Sequence, residues 1–84
     1  MTEREAQTRS ILRYLEEGNS ITDLEARDLF GCCRLGARIY DLRRMGVPIV
    51  DEWEYKRDQS GKVVKKWKRY RIDMIARAEA AQKT

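Results

Sequence analysis

Between Gly31 and Gly46 the apolar residues Leu35, Ile39 and Leu42 recur three and four positions apart, a spacing that suits a helix buried along one side. At about 100° per residue, Cys33, Ala37, Tyr40, Asp41 and Arg44 fall on the opposite side. That outer side is small, basic and able to hydrogen-bond. An α-helix fits the major groove of duplex DNA, where Arg, Asp and Tyr meet base edges and phosphates. The same stretch limits the architecture around it. A chain of 84 residues buries only about 60% of its unfolded surface, enough for one small core and no deep catalytic cleft.

The flanking segments supply that core. Thr2 followed by Glu5 is a capping-box pattern, and Ile11, Leu12 and Leu15 recur at helical spacing, predicting a first helix over 3–17 that Gly18 and Asn19 end. Thr22 and Glu25 repeat the box ahead of a short helix over 23–30, with Leu24, Leu29 and Phe30 as its apolar face and Gly31 as its stop. Only Gly31, Cys32 and Cys33 then separate it from the helix over 34–45, a turn length suited to a helix-turn-helix.

Gly46 closes that third helix. Pro48 forbids its continuation, and Ile49, Val50, Trp53 and Tyr55 favour a strand. Strands are expected over 49–57 and 62–72, joined by a loop of Gln59, Ser60 and Gly61 that sets Asp58 opposite Lys62. In that register Val50 faces Tyr70, Asp51 faces Arg69, Glu52 faces Lys68, Trp53 faces Trp67 and Glu54 faces Lys66. The pairing occupies several lysines and leaves Lys56, Arg57, Lys62 and Lys65 near the tip as the freest cations. The tryptophans are read as sealing the hairpin, with stacking on unpaired bases as the alternative. Asp73 caps a last helix over 74–82, with Met74, Ile75, Ala78 and Ala81 along one side, packed on the first helix or on a second subunit.

Charge follows the same division. Up to Phe30 the acids outnumber the bases, whereas Arg34, Arg38, Arg43 and Arg44 stand against Asp41 alone in the third helix. Lys and Arg dominate again from Tyr55 to Arg71. Basicity confined to two elements points to a polyanionic partner.

The run SITDLEARDLFGCCRLGARIYDLRRMGVPI resembles the small helix-turn-helix domains of phages and prophages, with RLGARIYDLRRMG as its most specific part. The resemblance spans roughly Gln7 to Ile72 and implies winged-helix character and DNA binding. The expected fold is mainly α with a small β-hairpin: a winged helix-turn-helix with a three-helix core, a two-stranded wing and a short C-terminal helix, as one domain over 1–84. The expected function is sequence-specific binding of double-stranded DNA by a small phage or prophage transcriptional regulator, with a homodimer as one form. Helix 34–45 would enter the major groove through Arg34, Ala37, Arg38, Tyr40, Asp41 and Arg44. The wing would meet the backbone through Lys56, Arg57, Lys62 and Lys65. Arg38, at the edge of the buried face, is equally suited to pair with Glu25 or Asp28, and Arg43 leans toward an intramolecular ion pair.

Other classes fit less well. No histidine, nucleophile elbow or glycine-rich phosphate loop is present, so catalysis and a cofactor are not expected. Two adjacent cysteines without histidine make neither a disulfide framework nor a zinc site. The apolar runs fall well short of the roughly 18 residues of a membrane span, so an intracellular, cytoplasmic chain is expected, with no small-molecule ligand. Two alternatives remain: a winged helix serving as a protein-interaction module, and an excisionase-like factor that bends DNA.

Overall fold

The computed structural model describes residues 2–82, with side chains as far as Glu79. Helix α1 (Glu3–Glu16) opens where the Thr2 hydroxyl accepts the Glu5 N–H at 3.1 Å, with Glu3 and Glu5 in the first turn, where the helix dipole favours acids. It buries Thr8, Ile11 and Leu15. Gly18 then turns the chain at φ 93°, a left-handed conformation that side chains with a Cβ resist.

The next element was not foreseen from the sequence. Strand β1 (Ile21–Thr22) is two buried residues, too short for alternation to reveal. It leads into α2 (Asp23–Phe30), whose capping box is complete. Thr22 Oγ1 accepts the Glu25 N–H at 3.3 Å, and Glu25 Oε1 accepts the Thr22 N–H at 2.9 Å. Gly31 ends the helix at φ 63°, and the N–H groups of Gly31 and Cys32 bond back to the carbonyls of Arg27 and Ala26.

The buried face of α2 differs from the expected one. Ala26 is buried and Phe30 packs edge-on against Tyr14, while Leu24 and Leu29 are 60% and 54% exposed. With Ala26 and Phe30 facing the core, an eight-residue helix turns its remaining leucines outward. Helix α3 (Leu35–Arg44) buries Leu35, Ile39 and Leu42, as its periodicity requires. Together with Ile11, Leu15, Ile21 and Cys32 they form the centre of the core.

Strands β2 (Ile49–Arg57) and β3 (Val63–Ile72) make an antiparallel hairpin, and β1 adds to the free side of β3 in the order β1-β3-β2. The loop is as expected: Asp58 N–H bonds the Lys62 carbonyl at 2.9 Å, Asp58 Oδ1 accepts from Ser60 and Lys62, and Gly61 sits at φ 87°. The register beyond it is not. A bulge between Lys56 and Arg57 leaves Val64 without a partner. From there all five expected pairs shift by one. Val50 faces Arg71, Asp51 faces Tyr70, Glu52 faces Arg69, Trp53 faces Lys68 and Glu54 faces Trp67.

Parity explains the shift. The core needs Ile49 and Ile72 on one face, and both are buried as directly opposed partners. The loop needs Asp58 opposite Lys62. Since the arm from Lys62 to Ile72 is one residue longer than the arm from Asp58 back to Ile49, one residue must be left out of the ladder.

Helix α4 (Met74–Gln82) begins at Asp73, whose Oδ1 accepts the N–H groups of Ile75 and Ala76 at 3.1 and 3.0 Å. Arg77 ties it to α1 through Glu16 Oε2. The residues turned inward are Ala76 and Arg77, whereas Met74, Ile75 and Ala78 are exposed, so the expected apolar side of this helix is largely uncovered. Ala81 lies outside the described side chains.

Candidate nucleic-acid interface

The outer side of α3 begins at Arg34, whose carbonyl accepts the N–H groups of Ala37 and Arg38 without a side-chain cap. Arg34, Gly36, Tyr40 and Arg44 are exposed and Ala37 is half-buried. The Arg44 guanidinium lies 5.9 Å from the centre of the Tyr40 ring, at the outer reach of a cation–π contact, which leaves its N–H fork unoccupied. A Cβ built on Gly36 meets nothing within 4 Å. Glycine in a helix costs roughly 0.5–1 kcal/mol relative to alanine, and here no packing among the described residues accounts for it. With Ala37 it leaves the first turn and a half of the helix low enough for close approach.

Asp41 and Arg38 lie elsewhere than on this outer side. Arg4 of α1 donates to Asp41 Oδ1 at 2.6 Å and to Oδ2 at 3.1 Å, and Arg38 Nε stands 3.1 Å from Oδ2 without hydrogen-bond geometry. The Arg38 and Asp41 side chains are only 12% and 16% exposed. The Arg4 hydrogen bond, with the charges of Arg4 and Arg38, holds the Asp41 carboxyl below its ordinary pKa despite some desolvation. Thus Arg38 pairs with Asp41, not with Glu25 or Asp28. Arg43 also turns inward: its Nε and Nη2 donate to the Ile49 carbonyl at 3.3 and 3.0 Å, and Nη2 meets Asp51 Oδ2 at 3.2 Å. This guanidinium joins the end of α3 to the root of the wing.

Alternation divides the wing into two faces. The face continuous with Arg43 carries Asp51, Trp53 and Tyr55 from β2, and Tyr70, Lys68 and Lys66 from β3. Lys66 and Lys68 place Nζ 4.8 and 5.1 Å from the centre of the Trp53 ring. The other face looks toward α2. There Arg69 bonds Glu25 and Glu54 at 2.9 and 3.0 Å, and Trp67 Nε1 donates to Glu54 Oε1 at 2.7 Å. The Trp67 bond and then Arg69 lower the Glu54 pKa. Burial works against the Arg69 charge, but Glu54 and Glu25 outweigh it and raise its pKa.

Of the four expected wing cations, Lys56 and Lys65 oppose each other on this α2-side face, Lys65 also lining a shallow groove with Leu24, Arg27 and Trp67. Arg57 donates to the Gly61 carbonyl at 2.9 Å, and Lys62 borders the loop. The structure therefore assembles Arg34, Ala37, Tyr40 and Arg44 on one surface but divides the tip cations from it. Reasoning from an unbroken ladder had assigned Lys66 and Lys68 to Glu54 and Glu52, and so overlooked both. The signal was the doublet Val63-Val64 followed by Lys65-Lys66, which breaks the alternation of a regular strand. Among the described residues, no group of three or more His, Cys, Asp or Glu is placed to hold a metal ion.

A short helix, a glycine turn, a second helix with an open basic side and an antiparallel hairpin define a winged helix-turn-helix. The model of a family described as the winged helix-turn-helix domain matches residues 6–74, and the chain belongs to that family. Domains of this kind are in general DNA-binding and non-enzymatic. No curated protein and no solved structure matches the chain. No described helix is long and apolar enough to cross a membrane.

Proposed function

We propose that this chain is a sequence-specific duplex-DNA-binding protein, a small transcriptional regulator of phage or prophage type, working in the bacterial cytoplasm with α3 in the major groove and the wing along the adjacent backbone. The observation that carries the reading is the division of labour on α3. Arg38, Asp41 and Arg43 are engaged within the chain, whereas Arg34 and Arg44 are exposed and make no ion pair among the described residues. The reading set becomes Arg34, Ala37, Tyr40 and Arg44, with Lys62 and Arg57 reaching from the wing tip. Arg38 and Asp41 act behind it as positioning residues.

A bidentate Arg–guanine contact contributes about 1–3 kcal/mol of discrimination. Replacing Arg34 and Arg44 together by Ala is expected to weaken a selected duplex by about thirty-fold or more, two such contacts at the lower figure, while leaving the thermal melt in place, as read by fluorescence anisotropy and circular dichroism. Unchanged affinity removes α3 from the reading role. A labelled random duplex and a single strand of equal length, titrated across a salt series, test the partner class itself, because duplex affinity then falls with a slope of about −0.9 per phosphate contact.

One observation favours a second reading, a protein-interaction module. Leu24 and Leu29 project from α2 at 60% and 54% exposure, and Leu24 lines a groove with Trp67. Loss of partner capture in a Leu24→Ser, Leu29→Ser variant that still binds DNA would support it. Exposed Met74 and Ile75 on α4 likewise suit a second copy of the chain, which sedimentation of Ile75→Glu beside the unmodified protein tests.

A further inference from the structure

Two ammonium groups within about 5 Å of one indole centre repel each other, and the chain offers them little neutralisation. The nearest acid, Asp51, is 3.9 Å from Lys68 and already meets Arg43 at 3.2 Å. Glu52 and Glu54 lie on the opposite face of the hairpin, where Arg69 stands across from one and bonds the other. Lys66 makes no ion pair among the described residues. What holds the two cations together is the π-face of Trp53, a side chain that is itself 47% exposed and contributes to no core.

We infer that Trp53, Lys66 and Lys68 form a phosphate clamp for the DNA backbone, in which the indole positions two lysines and a phosphodiester group completes the charge balance. The clamp rests on the duplex-DNA reading. It lies on the wing face that Arg43 of α3 joins through Asp51, beside which Lys68 stands. The bulge at Val64 builds it. In an unbroken ladder Trp67 would oppose Trp53, and the two lysines would sit on the face of Glu52 and Glu54. A phosphate contact carries no base information, so the clamp serves affinity and register on the duplex, not choice of sequence.

The test compares the unmodified chain with Lys66→Gln/Lys68→Gln, Trp53→Ala and Trp53→Phe on two unrelated duplexes over a salt series. Glutamine keeps a polar side chain along the indole while removing the charge, and thermal melts report whether each variant is folded. The lysine pair is expected to lower the magnitude of the log affinity against log salt slope by about 0.9, one phosphate contact, equally on both duplexes. Trp53→Ala is expected to lose most of that contact and Trp53→Phe to retain it, because a phenyl ring still presents a π-face. An unchanged slope in the folded lysine variant overturns the clamp and leaves DNA binding by α3 standing. Wild-type behaviour of Trp53→Ala, or an effect confined to one duplex, overturns it as well. Failure of the unmodified chain to bind either duplex at low salt overturns the DNA reading and the clamp with it.

Discussion

Replacing Arg43 by Met separates the structural arginines of α3 from the reading ones. Methionine keeps much of the apolar stem and removes the fork. The guanidinium makes two hydrogen bonds to the Ile49 carbonyl, at 3.3 and 3.0 Å, and one to Asp51 at 3.2 Å. A hydrogen bond to a charged group contributes about 1.5–3 kcal/mol when shielded. This side chain is 44% exposed and Asp51 29%, so the carbonyl contact is discounted to about 1–2 kcal/mol and the ion pair to at most about 0.5 kcal/mol. The expected loss is therefore roughly 1–2.5 kcal/mol, a shift of about 1–2.5 M in the urea midpoint for a domain with a slope near 1 kcal/mol/M. Urea titration followed by far-ultraviolet circular dichroism measures it. In the same variant the salt dependence of DNA binding should keep its slope. A stability change below about 0.5 kcal/mol together with a slope reduced by about 0.9 would show that Arg43 spends its charge on phosphate, and the assignment of labour on α3 would be wrong.

Other perturbations report on separate parts of the fold. Thr22→Ala removes the N-cap acceptor of α2 and should cost about 1 kcal/mol, or a melting temperature about 4–8 °C lower, checked by calorimetry. Thr22→Ser should restore most of it. The carboxyls of Asp41, Glu54 and Asp58 have depressed pKa values, from Arg4, Trp67 and Ser60 respectively as their leading partners. In the acid range the unfolded chain then binds more protons than the folded one, so stability falls with pH once the medium drops below the ordinary carboxyl range, near 4. Melting curves between about pH 6 and pH 2 should show the fall. Asp41→Asn should flatten part of it, and an unchanged profile would argue against the Arg4 pair.

The helical part of this fold was readable because each helix carries its own punctuation. Thr22 with Glu25, Gly31 and Gly46 mark ends through local backbone chemistry, and Leu35, Ile39 and Leu42 mark a face through a period that nothing else imitates. Where two apolar patterns compete, sequence is less decisive. Leu24, Leu29 and Phe30 promised a buried stripe on α2, but of these only Phe30 packs on the core, and Ala26 takes the buried position that the two leucines leave. Strand β1 has no pattern of its own and exists because β3 offers it a free edge. On the candidate surface, Arg34, Tyr40 and Arg44 follow from the helical wheel alone. The Asp41–Arg4 pair spans 37 residues of chain, and no local rule could find it.

The wing was misjudged by one residue for a reason that can itself be tested. Loop chemistry sets the register at the tip and burial of Ile49 with Ile72 sets it at the root, and these two demands differ in parity. Val64, 55% exposed, is the residue left out of the ladder. Deleting it removes the mismatch without touching either end, so the deletion variant should melt within about 4 °C of the parent, a change of roughly 1 kcal/mol or less. The Trp67 indole N–H should keep its hydrogen-bonded shift in NMR spectra, since Glu54 remains opposite. Deleting Lys56 from the shorter arm doubles the mismatch. That variant must either leave two residues unpaired or pair without a bulge and carry Ile72 two positions past Ile49, on the same face but out of contact with its partner, and it should lose several kcal/mol or fail to fold, given the cost of about 2–5 kcal/mol for emptying a buried aliphatic site. If instead the Val64 deletion is the damaging one, the bulge is a packed element in its own right, and parity does not explain it.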